Sequence, residues 1–365
     1  MSNFGVKSMG VKCPIIKEGD DIVKTVVDSV IAATDGKLND NDVIGVTESV
    51  VARSAGLYVT VDEIAEDIRK KFETNRGKYK GITVLHPIYS RNRFSMILKA
   101  IARAAEDFVI IYMPEFDEVG NPSGVNPFTG VDIAAYYREI VEGEGKHCVI
   151  YKEAYKALSG NVIYCGLHDY EEWKGKYGKI GTFITLADIC ADKNLDFGLL
   201  GTNKATEERI KLFPTVSLAN EVSDSIQAAI KERTGKEVNV LVYGDGCFKS
   251  PGIQGVIGSS IWELADPTTC PGSTHGILDA KPNEIKIKAF ADDKYKDLTG
   301  EELDKAVKAE IKTKDKNLVG NMNSQGTTPR RYYDLLASLM DLTSGSGDKG
   351  TPVVLVQNYF NNYSD

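Results

Sequence analysis

At 365 residues the chain has room for two domains, or for one large domain with insertions, and for a sizeable core. Hydrophobic residues make up 42% and charged residues 26%, which is ordinary for a soluble globular protein. With 44 Lys and Arg against 52 Asp and Glu, the net charge of -8 argues against a nucleic-acid or anionic-membrane surface, though not against a local basic pocket.

The opening residues do not read as a signal peptide, and no apolar run approaches membrane-spanning length. Cys13, Cys148, Cys165, Cys190, Cys247 and Cys270 are scattered without a CxxC pair. They read as reduced thiols and point to a cytoplasmic enzyme.

In chain order, Val11 to Ile16 is an extended apolar entry, with Pro14 turning it away from helix. A helix follows, with Ile22, Val23, Val26, Val27, Val30 and Ile31 as its stripe, Asp20 or Asp21 as cap and Gly36 as stop. Val43 to Thr47 reads as a short buried strand. It runs into Glu48-Ser49 and a helix start at Val50, a place suited to holding an anion, with Arg53 able to reach back to it. The next helix, Val61 to Phe72, presents Ile64, Ala65, Ile68 and Phe72 on one face.

Strand Ile82 to Leu85 leads through a loop carrying Arg91 and Arg93 into helix Phe94 to Ala105. Cations at a helix start are unfavourable alone, so the pair reads either as an anion site for a substrate or as partners of acidic residues elsewhere. Strand Phe108 to Met113 ends in a long loop, Pro114 to Thr129, of the length that binding lids have. Helix Val131 to Val141 and strands Cys148 to Ile150 and Val162 to Cys165 follow. The four histidines are too dispersed for a metal site, and His168-Asp169 reads as structural rather than catalytic.

Helix Asn220 to Thr234, stopped by Gly235, opens the stretch with the strongest pattern. There the β-rich run Val238 to Val242 halts at Gly244-Asp245-Gly246, and Gly252, Gly255 and Gly258 follow. A strand delivering a lone carboxylate into a glycine-rich loop suits a phosphate or a metal ion; a tight hairpin is the plainer alternative. Ile285 to Ala291 reads as a β-run, and a charged helix follows from Leu298 to about Ile311. The chain closes with helix Arg330 to Leu342, the loop Ser344 to Gly350 and strand Val353 to Val356.

Four segments, in three regions at about 10–56, 196–262 and 330–358, carry a family resemblance. CPIIKEGDD, then a helix, then DVIGVTESVVARSAG resembles the amino-terminal segment of the F420-0 γ-glutamyl ligases. Asp196 to Asn203 is similar to a second family segment, RTGKEVNVLV to a third, and the closing helix, loop and strand to a fourth. The resemblance implies GTP or ATP as cofactor, with Mg²⁺ or Mn²⁺, in forming an amide on a small anionic carboxylate substrate. It implies nucleotide contacts from Cys13, Pro14, Ile15, Ile16, Glu48, Ser49, Arg53 and Asn203, and from the loop Gly345, Ser346, Gly347 and Asp348. It makes Asp245 the metal ligand and catalytic carboxylate; Arg91 and Arg93, outside the resemblance, are read from their place at the helix start as holding the substrate. Leu200 and Ser346 fall where the family carries metal-binding carboxylates, and a leucine cannot ligate a hard cation.

The expectation is an α+β protein of the γ-glutamyl ligase (deazaflavin coenzyme) fold. Residues 1–56 and 196–365 form its ligase-like core and 57–195 an inserted α/β region. A homodimer is implied, with no nucleic-acid or membrane partner. The alternative is a nucleotide- or metabolite-binding protein of the same fold that has lost metal-dependent catalysis.

Overall fold

Val43-Ile44-Gly45-Val46-Thr47 is apolar at consecutive positions, as a strand covered on both faces must be. In the computed structural model it is a central strand between helical layers. The structure describes residues 5–75, 77–89, 94–117, 121–152, 160–166, 170–179, 181–244, 269–280, 286–313 and 331–364.

The first sheet has five strands in the order β1 (Lys7–Val11), β13 (Val353–Gln357), β2 (Val43–Thr47), β11 (Asn239–Gly244) and β12 (Thr269–Ser273). β2 and β11 are parallel and the other pairs antiparallel. Helices α1 (Ile22–Thr34) and α7 (Val216–Thr234) cover one face, where Val26, Val30, Ile226 and Ile230 meet Ile44, Val46, Val240 and Val242. Helix α10 (Tyr332–Ser344) covers the other, with Leu336, Ala337 and Met340 against Val43, Leu241 and Val354. Gly45 faces α10 so closely that a Cβ there would stand 2.1 Å from Met340 Sδ.

After α2 (Glu48–Ser54), a small sheet joins β3 (Tyr58–Thr60), β10 (Arg209–Lys211) and β9 (Asn203–Lys204), all antiparallel. Next comes α3 (Val61–Lys71), then a parallel sheet of β4 (Gly81–Leu85), β5 (Phe108–Tyr112), β6 (His147–Tyr151), β7 (Asn161–Tyr164) and β8 (Thr182–Thr185). Its order is β6-β5-β4-β7-β8. Helices α4 (Phe94–Ala104) and α5 (Ile133–Gly143) return the chain from β4 to β5 and from β5 to β6, and α6 (Tyr170–Tyr177) from β7 to β8. One hydrophobic cluster runs from Ile64 and Ile68 of α3 through Ile97 and Ile101 of α4 to Leu199, Leu200, Leu212 and Phe213. The parallel sheet is therefore packed into the segment that follows it.

Observed boundaries depart from the sequence reading mainly where a cap decides. Asp21 caps α1 by accepting from Lys24 N, and α7 begins at Val216 because Thr215 accepts from Leu218 N. The β-run read at Ile285 to Ala291 is a correction. From residue 286 it is the short helix α8 (Ile287–Ala289) and a π-helical turn, Phe290–Lys294. The alternation finds no strand partner among the described residues. Instead Phe290 stacks on Tyr295, with centroids 6.3 Å apart, and Lys294 pairs with Glu310 of α9 (Gly300–Thr313).

Helix α3 opens on a capping box: Thr60 Oγ1 accepts from Glu63 N at 3.1 Å, while Thr60 N donates to Glu63 Oε2 at 2.7 Å. Lys193 and the Thr60 amide hold the Glu63 carboxyl down from its ordinary 4.5 to about 2. A depressed acid contributes stability that is complete above its unfolded value and is lost as pH falls through the folded one. Thr60→Ala is expected to cost about 1 kcal/mol at neutral pH. Glu63→Gln should flatten the acid limb of stability between about pH 4.5 and 2, read from thermal melts across that range. An unchanged acid limb would count against the box.

Candidate functional site

Strand direction alone gathers most of the site. β2 and β11 are parallel, so both carboxyl ends reach the same edge of the first sheet. β13 starts at that edge, with Val353 opposite Val46, and β1 finishes there, with Val11 opposite Val353. The segments that leave or enter this edge are Lys12 to Ile16, Glu48-Ser49, the chain beyond Gly244, and Gly345 to Pro352. Two backbone bonds fasten them: Cys13 N donates to Gly350 O at 3.0 Å and Thr47 N to Pro352 O at 2.9 Å. Cys13, Glu48, Ser49 and the Gly345–Asp348 loop, far apart in sequence, thus share one rim.

At its centre is a buried charge pair. Register pairing sets Lys211 of β10 opposite Asn203 of β9, and both reach the start of α2. Lys211 Nζ lies 3.3 Å from Glu48 Oε2 and donates to Ser49 Oγ at 2.6 Å. Asn203 Nδ2 donates to Glu48 Oε1 at 3.2 Å. The Lys211 and Glu48 side chains are 8% and 5% exposed, whereas Ser49 is exposed. Two charges so buried persist only when paired and hydrogen-bonded; here the ion pair spans both Glu48 oxygens and the hydrogen bonds from Asn203 and Lys211 fall on Oε1. Gly244 walls the pair: a Cβ there would come within 2.1 Å of Glu48 Cγ.

The other residues expected at the site take different places. Ile16 joins the core and Ile15 is 82% exposed. Cys13 is half-buried, and burial raises its thiol above the ordinary range. In the rim loop Ser346 Oγ donates to Asp348 Oδ1 at 2.6 Å, which lowers the Asp348 carboxyl. Arg53 is exposed in the last turn of α2, about 7.5 Å along the axis from Glu48, and is not brought to the cluster. Leu200 is buried in the hydrophobic cluster. The neighbouring Thr202 hydroxyl is buried without a hydrogen-bond partner. It lines a cavity of about 10 Å³ with Ile88, Phe94 and Leu200, space for about one water. Asp245, Arg91, Arg93, His168 and Asp169 lie outside the described residues.

Lys211 is the residue the sequence reading missed. Its signal was a lone cation inside the apolar run Ile210-Lys211-Leu212-Phe213, entering a helix cap at Thr215. Among the described residues no group of three or more His, Cys, Asp or Glu is gathered as a metal site, and no helix is long and apolar enough to cross a membrane. Cys13, Cys148, Cys165, Cys190 and Cys270 form no disulfide among the described residues.

A comparison with curated proteins gave no match. A family model described as F420-0:Gamma-glutamyl ligase matches residues 10–358, a span that takes in the parallel sheet, the whole rim and all of the first sheet but the start of β1. That family implies a γ-glutamyl ligase-type reaction, and on a match of this extent the chain belongs to the F420-0:gamma-glutamyl ligase family.

Proposed function

We propose that the protein is a nucleotide-dependent ligase that forms a γ-glutamyl-type amide on a small anionic carboxylate acceptor. The observation that supports this most is the convergence of Cys13, Glu48, Ser49, Asn203 and the Gly345–Asp348 loop on one sheet edge, around a buried cation. In this reading an acceptor carboxylate oxygen attacks the γ-phosphorus of GTP or ATP. The bond to the β-phosphate oxygen breaks, giving an acyl phosphate and the nucleoside diphosphate. The glutamate amine then attacks the acyl carbon, inorganic phosphate leaves and the amine proton passes to solvent. Ser49 and Asn203 contact the nucleotide, Cys13 to Ile16 flank it, and Asp245, Arg91 and Arg93 are assigned to metal and acceptor as the sequence suggests.

Residues 57–195 are read as an α/β insertion, and the working unit as a cytoplasmic homodimer. Leu200, buried among apolar neighbours, favours a second reading: a nucleotide- or metabolite-binding protein of the same fold without metal-dependent catalysis. Calorimetry with GTP and ATP, with and without Mg²⁺ or Mn²⁺, tests both. Metal-enhanced nucleotide binding is expected. Metal-independent binding would favour the second reading, and no binding of either nucleotide under any condition would refute the ligase and leave the second reading only as a metabolite-binding protein. Ser49→Ala should weaken the nucleotide by about tenfold, one charge-assisted hydrogen bond.

A further inference from the structure

A divalent metal is what this family implies, and the described groups around Glu48 do not fit one. A hard cation needs six or more oxygen ligands, yet the Lys211 ammonium stands against both carboxylate oxygens of Glu48. Lys211 Nζ stands 3.4 Å from Oε1 and 3.3 Å from Oε2, and Asn203 Nδ2 stands 3.2 Å from Oε1. Lys211 also donates to Ser49 Oγ at 2.6 Å. An ammonium has only protons to offer, so it uses an acceptor lone pair of that oxygen. The Ser49 proton is left to point elsewhere, and Ser49 is the exposed member of the set.

We propose that the Lys211 ammonium is a built-in cation beside Glu48 and Ser49 that closes Glu48 to divalent ions. A metal-held serine and a lysine-held serine present the same hydroxyl, polarised from behind and ready to donate to an anion. The difference is that the lysine charge is part of the chain. Its use in catalysis rests on the ligase reading, but the closure of Glu48 to metal does not, so the test is made without nucleotide.

Mn²⁺ is titrated into the full-length, nucleotide-free protein and the free ion followed by electron paramagnetic resonance. The wild type and the shape-matched neutral pair Glu48→Gln/Lys211→Met should bind the same number of ions. Lys211→Ala, which leaves the Glu48 carboxylate and Ser49 hydroxyl facing an opened space for water to complete the shell, should gain one Mn²⁺, and Lys211→Ala/Glu48→Gln should lose it again. A wild-type Mn²⁺ that disappears in the neutral pair overturns the proposal, and that arm holds even where Lys211→Ala does not fold. A folded Lys211→Ala that gains no ion overturns it as well. Nucleotide binding that fails while these results hold would remove the ligase reading and leave the built-in cation standing.

Discussion

Glu48→Gln is expected to lower the stability of the chain by about 3–5 kcal/mol, the usual cost of removing one partner of a buried charge pair. The substitution keeps shape and the contact with Asn203 but removes the carboxylate charge that stands 3.3 Å from Lys211 Nζ. Desolvation makes the loss large. Exposed pairs such as Lys24–Asp28, at 71% and 43% side-chain exposure, are worth at most about 1 kcal/mol. The measurement is the urea midpoint at pH 7 for Glu48→Gln, Lys211→Met and the double variant. The double variant should recover most of the loss, because replacing both partners removes the charge instead of stranding it. A single variant within about 0.5 kcal/mol of wild type would mean that water reaches the pair.

The sequence disclosed the elements of this site better than their meeting. β2, β13 and the helix before it were legible because continuous apolar runs bounded by glycine and polar turns leave little choice. That segments so far apart in sequence would share an edge followed from strand direction, which no local pattern states. Lys211 escaped for a related reason: its partner Glu48 lies 163 residues away, and a lone lysine in a strand ordinarily reads as an outward-facing residue. Arg53 was drawn to the same anion site by sequence proximity, but the helical turn carries it away from Glu48. The β-run at Ile285 failed because period alone cannot supply a sheet edge to pair with, and Phe290 with Tyr295 fixed a helical turn instead. The boundary drawn at 195 is also softer in three dimensions. Leu199, Leu200 and Leu212 share a hydrophobic cluster with α3 and α4.

Gly244→Ala should show how tightly the site is built. The glycine ends β11 without a left-handed backbone, so the effect of a methyl group is one of space, not of conformation. The added Cβ would stand 2.1 Å from Glu48 Cγ, 3.0 Å from Glu48 Cβ and 3.2 Å from Phe213 Cε2. Glu48 cannot yield cheaply, since Lys211 and Asn203 hold its carboxylate and Val46 and Val51 on either side are fully buried. Overpacking of this kind costs about 1–3 kcal/mol, and here it also pushes the carboxylate off the ammonium. Gly143→Ala, at the end of α5 with nothing within 4 Å of the new carbon, is the control and should be neutral or stabilising by up to about 1 kcal/mol. In a Glu48→Ala background the Gly244→Ala cost should shrink, because the atom it strikes is gone. Equal costs in both backgrounds, read from urea midpoints, would show that Phe213 or the strand end resists the methyl group, and not the charge pair.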